Sequence, residues 1–220
     1  DMHNQLTHQA THDELTSLIN RKEFERQLQR VLALAKRNDS KHVVAYMDLD
    51  QFKVINNSAG HDAGDELLVK IAALLRDKLP DVNVTLARLG GDEFGLLIEN
   101  CERDTGITVV KQLCDAVKQL RFSKGTQSYA LTASCGVVVV DKEIESVTRI
   151  LSGADAACFA AKEAGRDRIL VYEADDTVME HRRGIMAFVS QIDRAISEDR
   201  FVLNCQKIEP IDKNSGDHTH

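Results

Sequence analysis

Four short segments of this 220-residue chain hold side chains suited to phosphate and metal chemistry. Asp48-Leu49-Asp50-Gln51-Phe52-Lys53 follows the apolar run His42 to Met47. A carboxylate at the C-terminal end of a buried strand packs poorly but suits a hard cation. Mg²⁺ takes oxygen ligands, usually one or two carboxylates completed by substrate phosphates. Taken alone, Asp-x-Asp is also what a solvated strand end or a helix cap looks like. In Arg88-Leu89-Gly90-Gly91-Asp92-Glu93-Phe94 the glycines Gly90 and Gly91 let the backbone approach a ligand with no Cβ in the way. The adjacent acids Asp92 and Glu93 cannot both be buried without a counter-charge, which a divalent metal would supply. An ordinary Gly-Gly hairpin with exposed acids is the plain alternative. Lys162 and Arg166 lie four apart at a helix end beside Gly165. They read as two phosphate-binding cations, or simply as charges that stabilise a helix C-terminus. Gly60-His61-Asp62-Ala63-Gly64-Asp65 adds a glycine-rich turn into a helix beside the first acid cluster.

The elements that must position these residues follow from apolar periodicity. Phe24, Leu28, Val31, Leu32 and Ala35 share one helical face, and Asn38-Asp39-Ser40 ends that helix. Leu67, Leu68, Ile71, Leu74 and Leu75 mark a second helix, ended by Pro80. Ile107, Val110, Val117 and Leu120 mark a third, and Val147, Ile150, Leu151, Ala154, Ala157 and Ala161 a fourth. Strands are expected at 42–47, 84–89, 94–99, within 130–140, and at 169–172, with Gly90-Gly91 closing a hairpin. Thr11 and Glu14 fit a capping box, which predicts a helix or helical turn starting there. The pattern implies an α/β (α+β) fold: a central mixed, mainly antiparallel five-stranded sheet flanked by helices. The composition turns charged after Glu173, and a further amphipathic helix follows through Val178, Ile185, Phe188, Val189, Ile192 and Ile196.

Hydrophobic residues make up 43% and charged residues 29%, as in ordinary globular proteins. The net charge of -7 disfavours nucleic acid and anionic membranes as partners. A phosphate ligand must therefore be met by local cations, backbone amides or a metal. Five cysteines are scattered without a Cys-x-x-Cys pair, as expected for reduced, packed thiols in a cytosolic protein. No apolar run approaches the roughly 20 residues of a membrane span, and no signal peptide is visible. These features lead us to expect a cytoplasmic protein, or the cytoplasmic part of a membrane-anchored one. The abrupt ends fit a piece of something longer.

Together the segments resemble the GGDEF family of diguanylate cyclases. The signature is Gly90-Gly91-Asp92-Glu93-Phe94, preceded at the family's spacing by Asp48 to Asn56 and by Gly60 to Asp65. Asp13-Glu14-Leu15-Thr16-Ser17-Leu18-Ile19-Asn20-Arg21 resembles the family's opening, and Ala161-Lys162 with Gly165-Arg166 its close. The match runs from about Thr11 to Tyr172. It divides the chain into an N-terminal linker or signalling helix at 1–12, the GGDEF domain at 13–174, and a linker helix at 175–220.

The resemblance implies a nucleotidyl-cyclase, ferredoxin-like core that condenses two GTP into cyclic di-GMP in bacterial second-messenger signalling. Asp48, the Leu49 carbonyl and Asp92 would hold Mg²⁺ (or Mn²⁺), with Glu93 close by. Asn56 and Asp65 would read guanine. Lys53, Lys162 and Arg166, with backbone amides near Gln51 and Phe52, would bind the triphosphate. Asp92 or Glu93 would accept the proton. Because each domain binds one GTP, catalysis would need a homodimer.

Asn57 stands where the family often has Asp, and Ser17 where Gly is usual. The family's product-inhibition motif, Arg-x-x-Asp, corresponds here to Asp81-Val82-Asn83-Val84, so that site is expected to be absent. The stretch Arg200-Phe201-Val202-Leu203-Asn204-Cys205-Gln206 resembles the start of an EAL phosphodiesterase domain, with Lys207 where Pro is usual and no E-A-L motif following. It suggests a neighbouring EAL domain, with a sensor as another possible neighbour. A plain amphipathic helix is the alternative. The rival functions are a catalytically weak GTP-binding module that regulates such a neighbour, and a structural dimerisation unit.

Overall fold

The structure is a computed structural model that describes residues 10–79 and 83–173. Among the described residues from Ile19 on, five helices and eight strands follow in order. They are β1 (Ile19–Asn20), α1 (Arg21–Asn38), β2 (His42–Leu49), α2 (Phe52–Ala59), α3 (His61–Lys78), β3 (Val84–Gly90), β4 (Glu93–Ile98), α4 (Arg103–Gln119), β5 (Phe122–Lys124), β6 (Gln127–Tyr129), β7 (Ala133–Val140), α5 (Val147–Glu163) and β8 (Ile169–Val171).

Six strands form one sheet in the order β1-β3-β4-β2-β7-β8. The inner pairings are antiparallel, and the two edge pairings, β1 with β3 and β7 with β8, are parallel. The five expected strands are all present. The sixth, β1, is only two residues long and carries no periodicity that a sequence could show. All eight residues of β2 are buried. That is why its sequence is apolar without alternation: a central strand covered on both faces has no solvent side.

The two faces carry separate cores. Val43, Ala45, Met47 and Leu49 of β2 pack with Phe94, Leu96 and Ile98 of β4 under α2, α3 and α4. Val44 and Tyr46 face the other way, with Phe24 and Leu28 of α1 and Ile150, Ala154 and Cys158 of α5. Each fully buried large side chain contributes about 1.5–3 kcal/mol. Asn20 caps α1, its side-chain oxygen accepting from the Glu23 N–H at 3.0 Å. Its amide also donates to the Ala10 carbonyl at 3.1 Å, tying the incoming chain to the helix start.

Three local expectations change. Ala10 and Thr11 are already helical, and Glu14 to Thr16 form a turn. The capping-box reading fails because Thr11 is helical rather than an N-cap, and Asp13 caps the turn that follows. Its Oδ1 accepts from the Thr16 N–H at 2.8 Å and the Thr16 hydroxyl at 2.7 Å. The helix α2 was not anticipated, since two turns with Phe52 and Ile55 buried give too short a pattern. The β5–β6 hairpin was missed for the same reason, with three residues per strand.

Cys101, Cys114, Cys135 and Cys158 are buried free thiols, as expected. No helix among the described residues is long and apolar enough to cross a membrane. Pro80, the residues Asp81 and Val82 of the stretch where the inhibition motif is expected to be absent, Cys205, the charged helix expected after Glu173 and the EAL-like stretch lie outside the described residues.

Candidate functional site

The site is built where β2 ends. Asp48 and Glu93 are directly paired across β2 and β4, and Leu49 donates its N–H to the Asp92 carbonyl at 3.2 Å. The two pairs of acids, more than forty residues apart in sequence, thus meet at one end of the central strands. Asp48 is 7% exposed, and Lys162 from the last turn of α5 reaches its Oδ2 at 2.5 Å. Burial pushes Asp48 up to about 6; Lys162 pulls against this, while Asp92 and Glu93 push the same way. Burial works against charge on Lys162 as well, but the hydrogen bond and charge of Asp48 outweigh it and hold the ammonium above its ordinary range. One lysine is thus set against a local excess of carboxylate.

Asp50, two residues on, has a different job. Its Oδ1 accepts from the Ser134 hydroxyl at 2.7 Å, and its Oδ2 from the Thr132 hydroxyl at 2.6 Å and the Asp167 N–H at 3.2 Å. It clasps the end of β2 to the start of β7 and to the turn that follows α5.

Gln51 then takes the left-handed conformation, φ 62°, and turns the chain into α2 without a side-chain cap. The first-turn amides of α2, those of Phe52 and Lys53 among them, have no intrahelical partners by geometry, which makes this end hospitable to an anion. Lys53 is exposed beside them, while Phe52 is buried and anchors the turn.

The signature hairpin needs its glycines for conformation. Gly90 has φ 150° and Gly91 φ 47°, and the register slips between Arg88 and Gly90. Phe94 is fully buried and fixes the hairpin to the core. Arg88 holds the tip: Nε and NH2 donate to the Gly91 carbonyl at 3.0 and 2.8 Å, and NH1 to Asp13 at 3.1 and 3.2 Å. Burial opposes charge on Asp13, but bonds from Thr16 and Arg88 outweigh it and hold the carboxyl below the usual range. Neither residue was assigned a role from sequence. The Asp13-x-x-Thr16 turn has a local signature; the Arg88 pairing spans 75 positions and has none.

Asn56 lies where α2 meets α3. Its Oδ1 is buried with no hydrogen-bond partner, an uncommon state in a folded protein. It lies against Gly64: a Cβ there would sit 1.8 Å from that oxygen. Asp65 follows Gly64 directly and is exposed. Arg166 is exposed in the turn behind α5, its N–H closing that turn on the Ala161 carbonyl at 3.0 Å. Asp48, Leu49, Asp92, Glu93 and Lys162 are therefore brought together, and Asn56 is placed beside the residue preceding Asp65. Among the described residues no group of three or more His, Cys, Asp and Glu side chains gathers to hold a metal unaided. A site of two carboxylates and a backbone carbonyl would need substrate oxygens to complete it.

Residues 10–168 match the family model described as "Diguanylate cyclase, GGDEF domain". The chain is similar to the probable diguanylate cyclase DgcE of Escherichia coli K12, 37% identical over 199 residues, 90% of this chain and 18% of DgcE. It is similar to the cyclic di-GMP phosphodiesterase PdeB of Shewanella oneidensis, 34% identical over 214 residues, 96% of this chain and 24% of PdeB. The chain thus spans about a fifth to a quarter of these relatives. Among solved structures, it resembles the coiled coil and GGDEF domain of DgcB from Caulobacter crescentus in complex with c-di-GMP. That likeness has a TM-score of 0.72 at 28% identity and covers 77% of this chain and 90% of that one. On the match of its fold, its signature hairpin and 159 consecutive residues to the family model, this chain belongs to the GGDEF family.

Proposed function

We propose that this chain is a diguanylate cyclase, joining two GTP into cyclic di-GMP and two pyrophosphates. The observation that carries the reading is the meeting of Asp48, Asp92, Glu93 and Lys162 at one end of the central strands, on an intact Gly-Gly-Asp-Glu-Phe hairpin. Degenerate signatures lose these acids; this one keeps them. The donor set fits Mg²⁺ or Mn²⁺: hard oxygens from Asp48, the Leu49 carbonyl and Asp92, at a place where burial, and then the neighbouring carboxylates, raise Asp48. A bound divalent ion supplies charge neutralisation at the transferring phosphorus.

The chain's own residues do the rest. The orphaned Asn56 oxygen accepts from a guanine N–H, and the Asp65 carboxylate accepts from the N1–H and N2 amino group. The α2 amides at Gln51 and Phe52, with Lys53, Lys162 and Arg166, hold the triphosphate. Lys162 exchanges its bond to Asp48 for phosphate oxygens. Gly90 and Gly91 leave room for the nucleotide backbone. The 3′-hydroxyl oxygen of one GTP attacks the α-phosphorus of the other. The bond to the β-phosphate oxygen breaks, pyrophosphate leaves, and the hydroxyl proton passes to Asp92 or Glu93. A second, reciprocal step closes the ring, so two domains face each other in a homodimer. The proposed setting is the cytoplasm.

The test is product analysis by chromatography after incubation with GTP and Mg²⁺ at high protein concentration. Cyclic di-GMP from the parent, and none from an Asp92→Ala, Glu93→Ala variant, is expected. The similarity to PdeB over 96% of the chain favours one second reading: a weakly active GTP-binding domain that controls an adjacent EAL phosphodiesterase. Saturable GTP binding through Asn56 and Asp65 without product, even in a forced dimer, would select it.

A further inference from the structure

We infer that Tyr46 is a positioning residue for Glu93: its buried phenol hydroxyl donates to the Glu93 carboxylate and holds it in place for the reaction. The inference rests on the cyclase reading above. In the β2–β4 pair Asp48 stands opposite Glu93, and Tyr46 opposite Gly95. Alternate residues share a face, so Tyr46, Asp48 and Glu93 all project toward α1 and α5. Tyr46 and Glu93 are diagonal neighbours, a separation of about 7–8 Å that an aromatic side chain spans. Glu93 is also an electrostatic neighbour of the tyrosine hydroxyl, so the register and the charge place the two groups within reach of each other.

The surroundings leave the ring little freedom. Opposite Tyr46, Gly95 has no side chain, and the Phe24 ring fills the space; a Cβ at Gly95 would lie 2.9 Å from its Cε1 and Cζ. From α5, Asp155, Cys158 and Lys162 descend on one stripe, spaced three and four residues apart. Lys162 reaches Asp48, while Asp155 is a second negative neighbour of the tyrosine. Burial, then Glu93 and Asp155, push the phenol far above its ordinary pKa, and Arg21 opposes them weakly. The hydroxyl stays protonated and serves as a donor. Tyr46 is 6% exposed and lines a cleft of about 430 Å³ between α1 and α5, with Arg21, Glu25, Leu151 and Asp155 on its walls. It therefore meets this cleft on one side and the Glu93 carboxylate on the other.

A phenylalanine would fill this core position equally well and carry no polar atom to satisfy. The hydroxyl is a cost unless its partner matters, and its partner is one of the two signature acids. An unheld glutamate samples several rotamers; a held one spends its time in the geometry that takes the proton.

The test is Tyr46→Phe, which keeps the ring and removes the hydroxyl. The kcat for cyclic di-GMP should fall about tenfold with KM for GTP within about twofold, the size of one lost hydrogen bond to an ionised group. In the Glu93→Gln background the same change should have less than about a twofold effect. An unchanged kcat, or an equal loss in both backgrounds, overturns the inference. Thermal melts should stay within a few degrees of the parent; loss of the fold would make Tyr46 a core residue and would also overturn it. A parent chain that makes no cyclic di-GMP overturns the cyclase reading instead. The hydroxyl is then judged by Mn²⁺ affinity in the presence of an α,β-methylene analogue of GTP. A weakening of about three- to tenfold in Tyr46→Phe that disappears in Glu93→Ala supports the inference, and an unchanged affinity overturns it.

Discussion

Asp48 and Asp50 stand two residues apart at the end of the same buried strand, 7% and 4% exposed, yet they have opposite fates. Three donors surround Asp50: two hydroxyls and a backbone N–H. Asp48 has a single lysine, and its other charged neighbours are carboxylates. A buried charge with a full set of donors is part of the scaffold. A buried charge left short of partners, beside two like charges, is held there at a cost to stability and is available to a cation and a phosphate. The same residue type in nearly the same place is thus separated into structure and function by its partners alone.

The largest expected effect breaks the functional side of this contrast. Asp48→Ala should lower cyclase turnover by about 10³-fold or more, as expected for removal of a principal charge-bearing group. Its unfolding free energy should stay within about 1 kcal/mol of the parent, because repulsion is relieved and Lys162 can turn to water. Urea melts beside initial rates check both halves, and a large loss of stability would place Asp48 with the scaffold.

Asp50→Ala breaks the other side. Three donors lose their acceptor, and about 3 kcal/mol of stability should go with them. The same urea melts read this; a stable but inactive Asp50→Ala protein would erase the distinction.

The guanine end gives a smaller effect. Gly64→Ala would set a Cβ 1.8 Å from the Asn56 oxygen. GTP affinity should fall about tenfold, worth about 1.4 kcal/mol, with a lesser loss of stability. Titration calorimetry with GTP should show it, and an unchanged Kd would remove Asn56 from the pocket.

The smallest effect lies at the far end of β2. His42 is fully buried, its Nδ1 accepting from the Asn100 N–H at 3.2 Å and its Nε2 meeting the Ser40 hydroxyl at 3.0 Å. Burial lowers its pKa; Glu99 raises it, and Arg30 lowers it further. The unfolded chain therefore binds the proton more readily. The stability His42 contributes is present above its unfolded pKa of about 6.5, and is lost as pH falls through that value toward the lower folded one. The urea midpoint should drop between about pH 7 and pH 5 in the parent and drop less in His42→Gln. Equal drops would exclude His42 as the titrating group.

Much of the site was legible in advance because its chemistry restricts residue types. Carboxylates at a strand end, two glycines before two acids, and cations at a helix terminus are few enough to notice. They point to phosphate and metal even before the family resemblance is drawn. What was illegible depends on distance along the chain or on shortness. Arg88 finds Asp13 across 75 positions, and Tyr46 finds Glu93 only through the β2–β4 register. Helix α2 and the β5–β6 hairpin are too short to impose a period on the sequence. The capping-box reading of Thr11 failed because Thr11 is itself helical rather than an N-cap, while Asp13 caps the turn that follows through the Thr16 amide.

By itself the sequence determined the main helices, five of the six strands of the main sheet and the candidate groups of the proposed site, because periodicity and residue type are local properties. The tertiary structure decided which of those groups meet and which are satisfied. It made Asp50 a clasp, left Asp48 with one lysine among carboxylates, left the Asn56 oxygen without a partner, and put Tyr46 on the same face as Glu93. Burial and partner count arise only when distant segments pack together, and in a medium of low dielectric they decide what a charge can do.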